Sequence, residues 1–340
     1  MQTSTYNKAI VYWLLSGALL ILAMVIVGGI TRLTGSGLSI VEWNLISGTL
    51  PPLNQEAWIT AFEQYKQFPE YQKLNTHLTL EGFQKIFWWE YLHRLLGRLV
   101  GLVFILPFLY FLITKQLTSG LFRRLLFILA QGVIGWLMVK SGLVDNPHVS
   151  HFRLAAHLSL ALALIGVILW TVADLTSGKV LKLKSHKGTK LKRLAILVLV
   201  AVLLQIILGA FVAGLKAGFS YNSYPLMDGE FFPAHLQGYL TWQTTIENGV
   251  VMQFAHRWIA ILVLLAVTLL WYRTRPAELP YTVRTLARSL LLTCLIQVAL
   301  GIATLLLAVP VSLGVLHQVV AVVLFAFAVL LVHRLRLSVA

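Results

Sequence analysis

A single cysteine, Cys294, occurs in 340 residues, and it sits inside an apolar run. It can form no intramolecular disulfide and no thiolate metal cluster, so it is read as a small buried side chain. Charge is also scarce: 11% of residues are charged, and only 12 are acidic. A chain so poor in charge has no stretch that reads as an independent soluble domain. Also missing is the alternation of apolar and polar residues that a membrane β-barrel needs.

What the chain has instead is 58% apolar residues and a mean hydropathy of +0.81. Apolar runs of about 20 residues, enough to cross roughly 30 Å of hydrocarbon as helix, recur along its length. The expected fold is an all-α integral membrane protein with eight spans. They fall near Ile10–Ile30, Phe87–Ile113, Phe122–Val139, Phe152–Val172, Leu194–Gly214, Val250–Tyr272, Leu286–Leu307 and Val311–Val332. Helix satisfies every backbone group within lipid.

The net charge of +15 invites a nucleic-acid reading, which its distribution removes. With the N-terminus inside, most Lys and Arg fall in cytoplasmic loops, including the block Lys179–Arg193, and every acid except Asp174 and Glu278 falls outside. That is the positive-inside pattern, with both termini cytoplasmic and the basic block facing anionic lipid. The first span opens near residue 10 without an arginine-rich leader, which favours a retained anchor in a bacterial plasma membrane.

The first half of the sequence returns in the second. Ile26–Ser39 aligns without gaps on Ile207–Ser220, an offset of 181; Glu90-Tyr-Leu-His-Arg94 matches Gln253-Phe-Ala-His-Arg257 at 163; His157 matches His317 at 160. The fall from 181 to 163 makes the first extracytoplasmic loop about 18 residues longer than its counterpart. Two pseudo-symmetric four-helix bundles of one orientation follow, 1–178 and 194–340, joined by the basic linker 179–193.

Each half contributes two histidines near the extracytoplasmic ends of its second and fourth spans, His93 with His157 and His256 with His317. Facing helices that present two imidazoles at one depth supply the axial ligands of a haem iron. Small residues one turn away, Gly97, Ala161, Ala260 and Ala321, leave room for a flat macrocycle, although small residues also serve general helix packing. Arg94, Arg98, Arg153 and Arg257 lie within two turns of these histidines, where basic residues are otherwise rare. They suit the haem propionates, with snorkelling to the interface as the alternative. Loop histidines His77, His148, His151 and His235, and the cytoplasmic His186 and His333, are weaker ligand candidates.

The halves differ at one position. Three residues before His93 stands Glu90, and three before His256 stands Gln253. On a helix Glu90 shares the face of His93, where a carboxylate can accept a proton or orient water. A salt bridge to Arg94 or another loop cation is the structural alternative. The contrast suggests a reactive pocket in the N-terminal half and a ligating pocket in the C-terminal half.

Several stretches together resemble the haem A synthases of the mitochondrial and proteobacterial type. They are Gly29–Ser39, Val41-Glu-Trp43, Gly48–Leu53, Phe87–Arg94, Arg153–His157, Tyr224–Gly229, Gln253–Arg257 and Leu316-His-Gln318, spread over nearly the whole chain. The resemblance implies oxidation of a haem O methyl group to the formyl group of haem A by successive hydroxylations. It implies a haem b cofactor on His256 and His317 beside Arg257. It places the substrate haem with His93, His157, Arg94 and Arg153, and assigns catalysis to Glu90. The expected partners are haem O, a haem O synthase, an electron acceptor and membrane lipid, with no nucleic acid and with room for a homo-oligomer. Some bacterial relatives carry a loop cysteine pair that is missing here, which leaves the electron exit open. The rival readings are a non-enzymatic di-haem cytochrome b exchanging electrons with quinone, and a transporter relaying protons through histidines.

Overall fold

A computed structural model of the chain describes residues 8–42, 47–117, 150–177, 186–236, 241–276 and 278–338. The helices are α1 (Lys8–Leu33), α2 (Gln55–Lys66), α3 (Pro69–Leu74), α4 (Leu80–Ile113), α5 (His151–Thr176), α6 (His186–Gly214), α7 (Trp242–Glu247), α8 (Gly249–Arg273), α9 (Tyr281–Leu306) and α10 (Val311–Ser338). Among the described residues, seven helices are long and apolar enough to cross a membrane, and no strand forms. The expected span Phe122–Val139 lies outside the described residues, as does 179–185 of the basic linker.

Helix ends follow local capping chemistry, which the hydropathy profile does not register. Thr79 accepts the N–H of Gly82, so α4 starts at Leu80, seven residues ahead of its apolar run. The Asn248 side chain accepts the N–H groups of Val250 and Val251 and starts α8. These side chains satisfy donors that the first turn of a helix leaves open. On α4, Leu99, Leu102, Leu106, Leu109 and Ile113 form an exposed apolar stripe at three- and four-residue spacing. Such a stripe suits lipid as solvent.

Packing divides the chain into two units. In the unit Leu19–His157, the longer inter-helix loop folds as α2 and α3. Phe62 and Tyr65 of α2 stack on Phe83 of α4, and Trp58 meets Phe87 edge to face. Burial of these rings fixes the loop onto the first turns of α4. Tyr65, fully buried, donates to Glu70 and accepts from Asn75, which ties α2 to α3. In the unit formed by 1–18 and 158–340, α6, α8, α9 and α10 pack in a ring, α6 on α8, α8 on α9, α9 on α10 and α10 on α6. Val198, Val202, Val267, Leu270, Leu290 and Leu331 are among its buried side chains.

Candidate functional site

In the C-terminal bundle α8 presents His256 and α10 presents His317. The ring centroids stand 6.4 Å apart and the rings are nearly perpendicular, at 80°. Two metal–nitrogen bonds of about 2 Å, with half a ring on each side, span about 6 Å between centroids. An iron between these imidazoles therefore fits the spacing. Both rings lean on glycines: a Cβ at Gly209 of α6 would lie 3.0 Å from His256, and one at Gly301 of α9 would lie 2.9 Å from His317. Any side chain there would push the ring out of place.

Each of these imidazoles also meets a glutamine. Gln205 of α6 places Nε2 3.0 Å from His256 Nδ1 and donates to the His256 carbonyl at 2.8 Å. Gln297 of α9 places Nε2 3.3 Å from His317 Nε2. The carbonyl oxygens of both glutamines are buried without a partner, as is His317 Nδ1.

In the other unit, a Cβ at Gly28 of α1 would lie 3.0 Å from His93 on α4. Gly28 and Gly209 are 181 positions apart, and His93 and His256 163 apart, so one contact recurs at both repeat offsets. His157, on α5, lies close enough to His93 for their charges to interact. Arg153, exposed, stands one turn before His157 on the same helix. Among the described residues no cluster of three or more His, Cys, Asp or Glu forms, whereas a haem iron asks the protein for only two ligands.

The repeat extends to hydrogen bonds. Arg94 donates to the carbonyls of Ile40, from Nη2 at 2.5 Å, and Glu42, from Nη1 at 2.8 Å. Arg257 donates to the carbonyls of Tyr221, from Nη2 at 2.6 Å, and Ser223, from Nη1 at 2.8 Å. Ile40 and Tyr221, like Glu42 and Ser223, are 181 positions apart. Each guanidinium thus latches the loop that follows the glycine-bearing helix, using N–H groups that sequence reasoning directs at propionates. Arg257 retains a buried Nε without a partner. The loop it holds turns sharply through Asp228 and Gly229, both at positive φ, with Met227 and Glu230 exchanging two backbone hydrogen bonds. Glycine and aspartate suit that turn for conformational reasons.

Glu90 is 2% exposed and both of its oxygens are engaged. Oε1 takes Arg94 Nη2 at 2.6 Å and Nε at 3.0 Å; Oε2 takes Ser39 Oγ and Ile40 N, each at 2.7 Å. The ion pair with Arg94 weighed from the sequence is present, and the carboxylate also binds the loop. Gln253, equally buried, donates to the Tyr221 carbonyl at 3.1 Å, while its own Oε1 has no partner. One half carries a charged four-bond junction and the other a neutral, under-satisfied one. Sequence reasoning missed Ser39, Gln205 and Gln297; a glutamine within an apolar span was the available signal for the last two.

A profile of cytochrome oxidase assembly proteins, COX15-CtaA, matches residues 11–329. The chain is 45% identical to the protein named Heme A synthase of Nitrosospira multiformis, covering 98% of this chain and 96% of the relative. It is 44% identical to that of Parvibaculum lavamentivorans, with 98% and 96% covered. To that of Flavobacterium psychrophilum it is 43% identical, with 96% and 98% covered. Both histidine pairs, Glu90 and both latching arginines fall within the matched stretch, and the chain belongs to the COX15-CtaA family of cytochrome oxidase assembly proteins.

Proposed function

We infer that this chain is a haem A synthase, an oxidoreductase that converts a methyl group of haem O to the formyl group of haem A. The observation that carries the reading is the near full-length likeness to proteins of that name. The paired imidazoles at haem spacing in the C-terminal bundle support it.

Within this reading His256 and His317 hold haem b, and His93 and His157 receive the substrate haem. Haem b when bound supplies one-electron transfer away from the reacting macrocycle. Glu90, one turn from His93 and fixed by Ser39, Ile40 and Arg94, is the group that takes protons or orients water at the methyl carbon. Arg153 and the buried Nε edge of Arg257 serve the propionates, and Arg94 contributes by holding its loop to α4.

The chain then spans a bacterial plasma membrane eight times, the third span being Phe122–Val139, with both termini cytoplasmic. The halves 1–178 and 194–340 are joined by the basic linker 179–193. Haem O arrives from a haem O synthase, and electrons leave to an acceptor.

Haem extraction from purified protein, expressed with and without a source of haem O, tests this. The expected result is haem b throughout and haem O or A only with that source, with Glu90→Gln accumulating unreacted haem O. Two equivalents of haem b and no altered porphyrin would make the chain an electron carrier instead.

A further inference from the structure

We propose that Gln205, seconded by Gln297, is the positioning residue that makes the C-terminal histidine pair a permanent, low-potential haem site. The proposal rests on the haem b assignment above and deepens it.

An imidazole bound to metal through one ring nitrogen carries hydrogen on the other, and that N–H needs an acceptor in a buried site. His256 and His317 each turn one ring nitrogen to a glutamine amide. In both amides the carbonyl oxygen is buried without a partner, beside the nitrogen that contacts the ring. A turn about the last side-chain torsion brings that oxygen to the imidazole N–H. For Gln205 the turn gives up its bond to the His256 carbonyl, an oxygen that keeps its partner within α8. Two orphaned acceptors, one at each axial position, are thus supplied where ligation creates two donors.

The repeat does not carry Gln205 into the N-terminal half. At the 181 offset the position of Gln205 is Met24, whose Cε lies 3.7 Å from where a Cβ on Gly97 would stand, one turn beyond His93. A thioether accepts hydrogen bonds only weakly. Among the described residues no side chain hydrogen-bonds the His93 ring.

An acceptor on the imidazole N–H makes the ligand more basic and favours ferric over ferrous iron. Gln205→Met, which copies Met24, and Gln205→Glu, which keeps an acceptor at the same reach, separate this role from space filling. Redox titration and ferric electron paramagnetic resonance of the purified, haem-loaded protein are the readouts, with haem b content alongside. For Gln205→Met a tenfold loss of ferric preference is expected, an upward shift of 59 mV in a one-electron couple, with about 10- to 100-fold weaker haem b retention. Gln205→Glu is expected below the parent potential. If both variants shift the same way, or neither shifts, the proposal is wrong. Should Gln205→Met lose haem b entirely, Gln205→Glu decides alone: a potential at or above that of the parent overturns the idea. Absence of haem b from the parent would instead overturn the underlying functional reading.

Discussion

The Glu90 carboxylate meets the Arg94 guanidinium at 2.6 Å, one turn along α4, with 3% and 7% of the two side chains exposed. Removing one member of a buried pair strands the other charge and costs about 3–5 kcal/mol. Glu90→Ala is therefore expected to destabilise the α1–α4 loop and raise its protease sensitivity. Glu90→Gln also removes the charge opposite Arg94 but keeps one acceptor oxygen for Ser39 and Ile40, and is expected to loosen the loop less than Glu90→Ala while losing turnover. Limited proteolysis beside haem analysis on both variants checks this; equal loop exposure would remove the distinction between anchoring and chemistry.

Glycines against the imidazoles make a second prediction, with a sign opposite to ordinary helix behaviour. Alanine in place of a mid-helix glycine normally stabilises by about 1 kcal/mol. Gly209→Ala and Gly301→Ala instead place a Cβ 3.0 and 2.9 Å from the rings of His256 and His317. Haem b content is expected to fall at least about tenfold. Gly28→Ala presses on His93 at 3.0 Å and is expected to spare haem b while impairing haem O conversion. Pyridine haemochrome spectra of the three variants decide it.

The sequence carried the repeat, since offsets of 181 and 163 reappear as the same glycine–histidine contacts and arginine latches. It carried the longer first loop but not the α2–α3 structure, because those helices are stabilised by rings packed on α4 rather than by any strong local pattern. Arg94 and Arg257 adjoin the histidines in the sequence, yet beyond the Glu90–Arg94 ion pair they donate to backbone carbonyls, which look alike in every sequence. Glu90 was legible as a buried carboxylate by its spacing; its bonds to Ser39 and Ile40 depend on a loop path that hydropathy does not encode.

Far from the histidines, a third prediction concerns the other end of α10. His333 is fully buried, its Nε2 is 2.8 Å from Asp174 Oδ1, and Trp170 stands edge-on at 5.0 Å. Sixteen residues from His317, it lies about 24 Å along the helix. Hydrogen bonds to a charged group contribute about 1.5–3 kcal/mol. Asp174→Ala is expected to lower the melting temperature in detergent and leave the haem b spectrum and potential unchanged. A shifted potential would tie this cluster to the redox centre.

The α2–α3 cap gives a pH-dependent expectation. Burial, first of all, pushes the Tyr65 phenol well above its ordinary value near 10, with the Asn75 hydrogen bond opposing and Glu70 adding to the rise. The folded cap holds the neutral phenol, so its contribution is complete below the unfolded value and is lost as pH rises from about 10 toward the folded one. Tyr65→Phe removes this dependence but leaves Glu70 and Asn75 each short of a partner, at about 1–3 kcal/mol. Hydrogen exchange of α2 should therefore accelerate above pH 10 in the parent beyond the intrinsic rate. In Tyr65→Phe it should be faster at neutral pH without that added rise. Parallel pH profiles for the two proteins would show that the phenol does not control the cap.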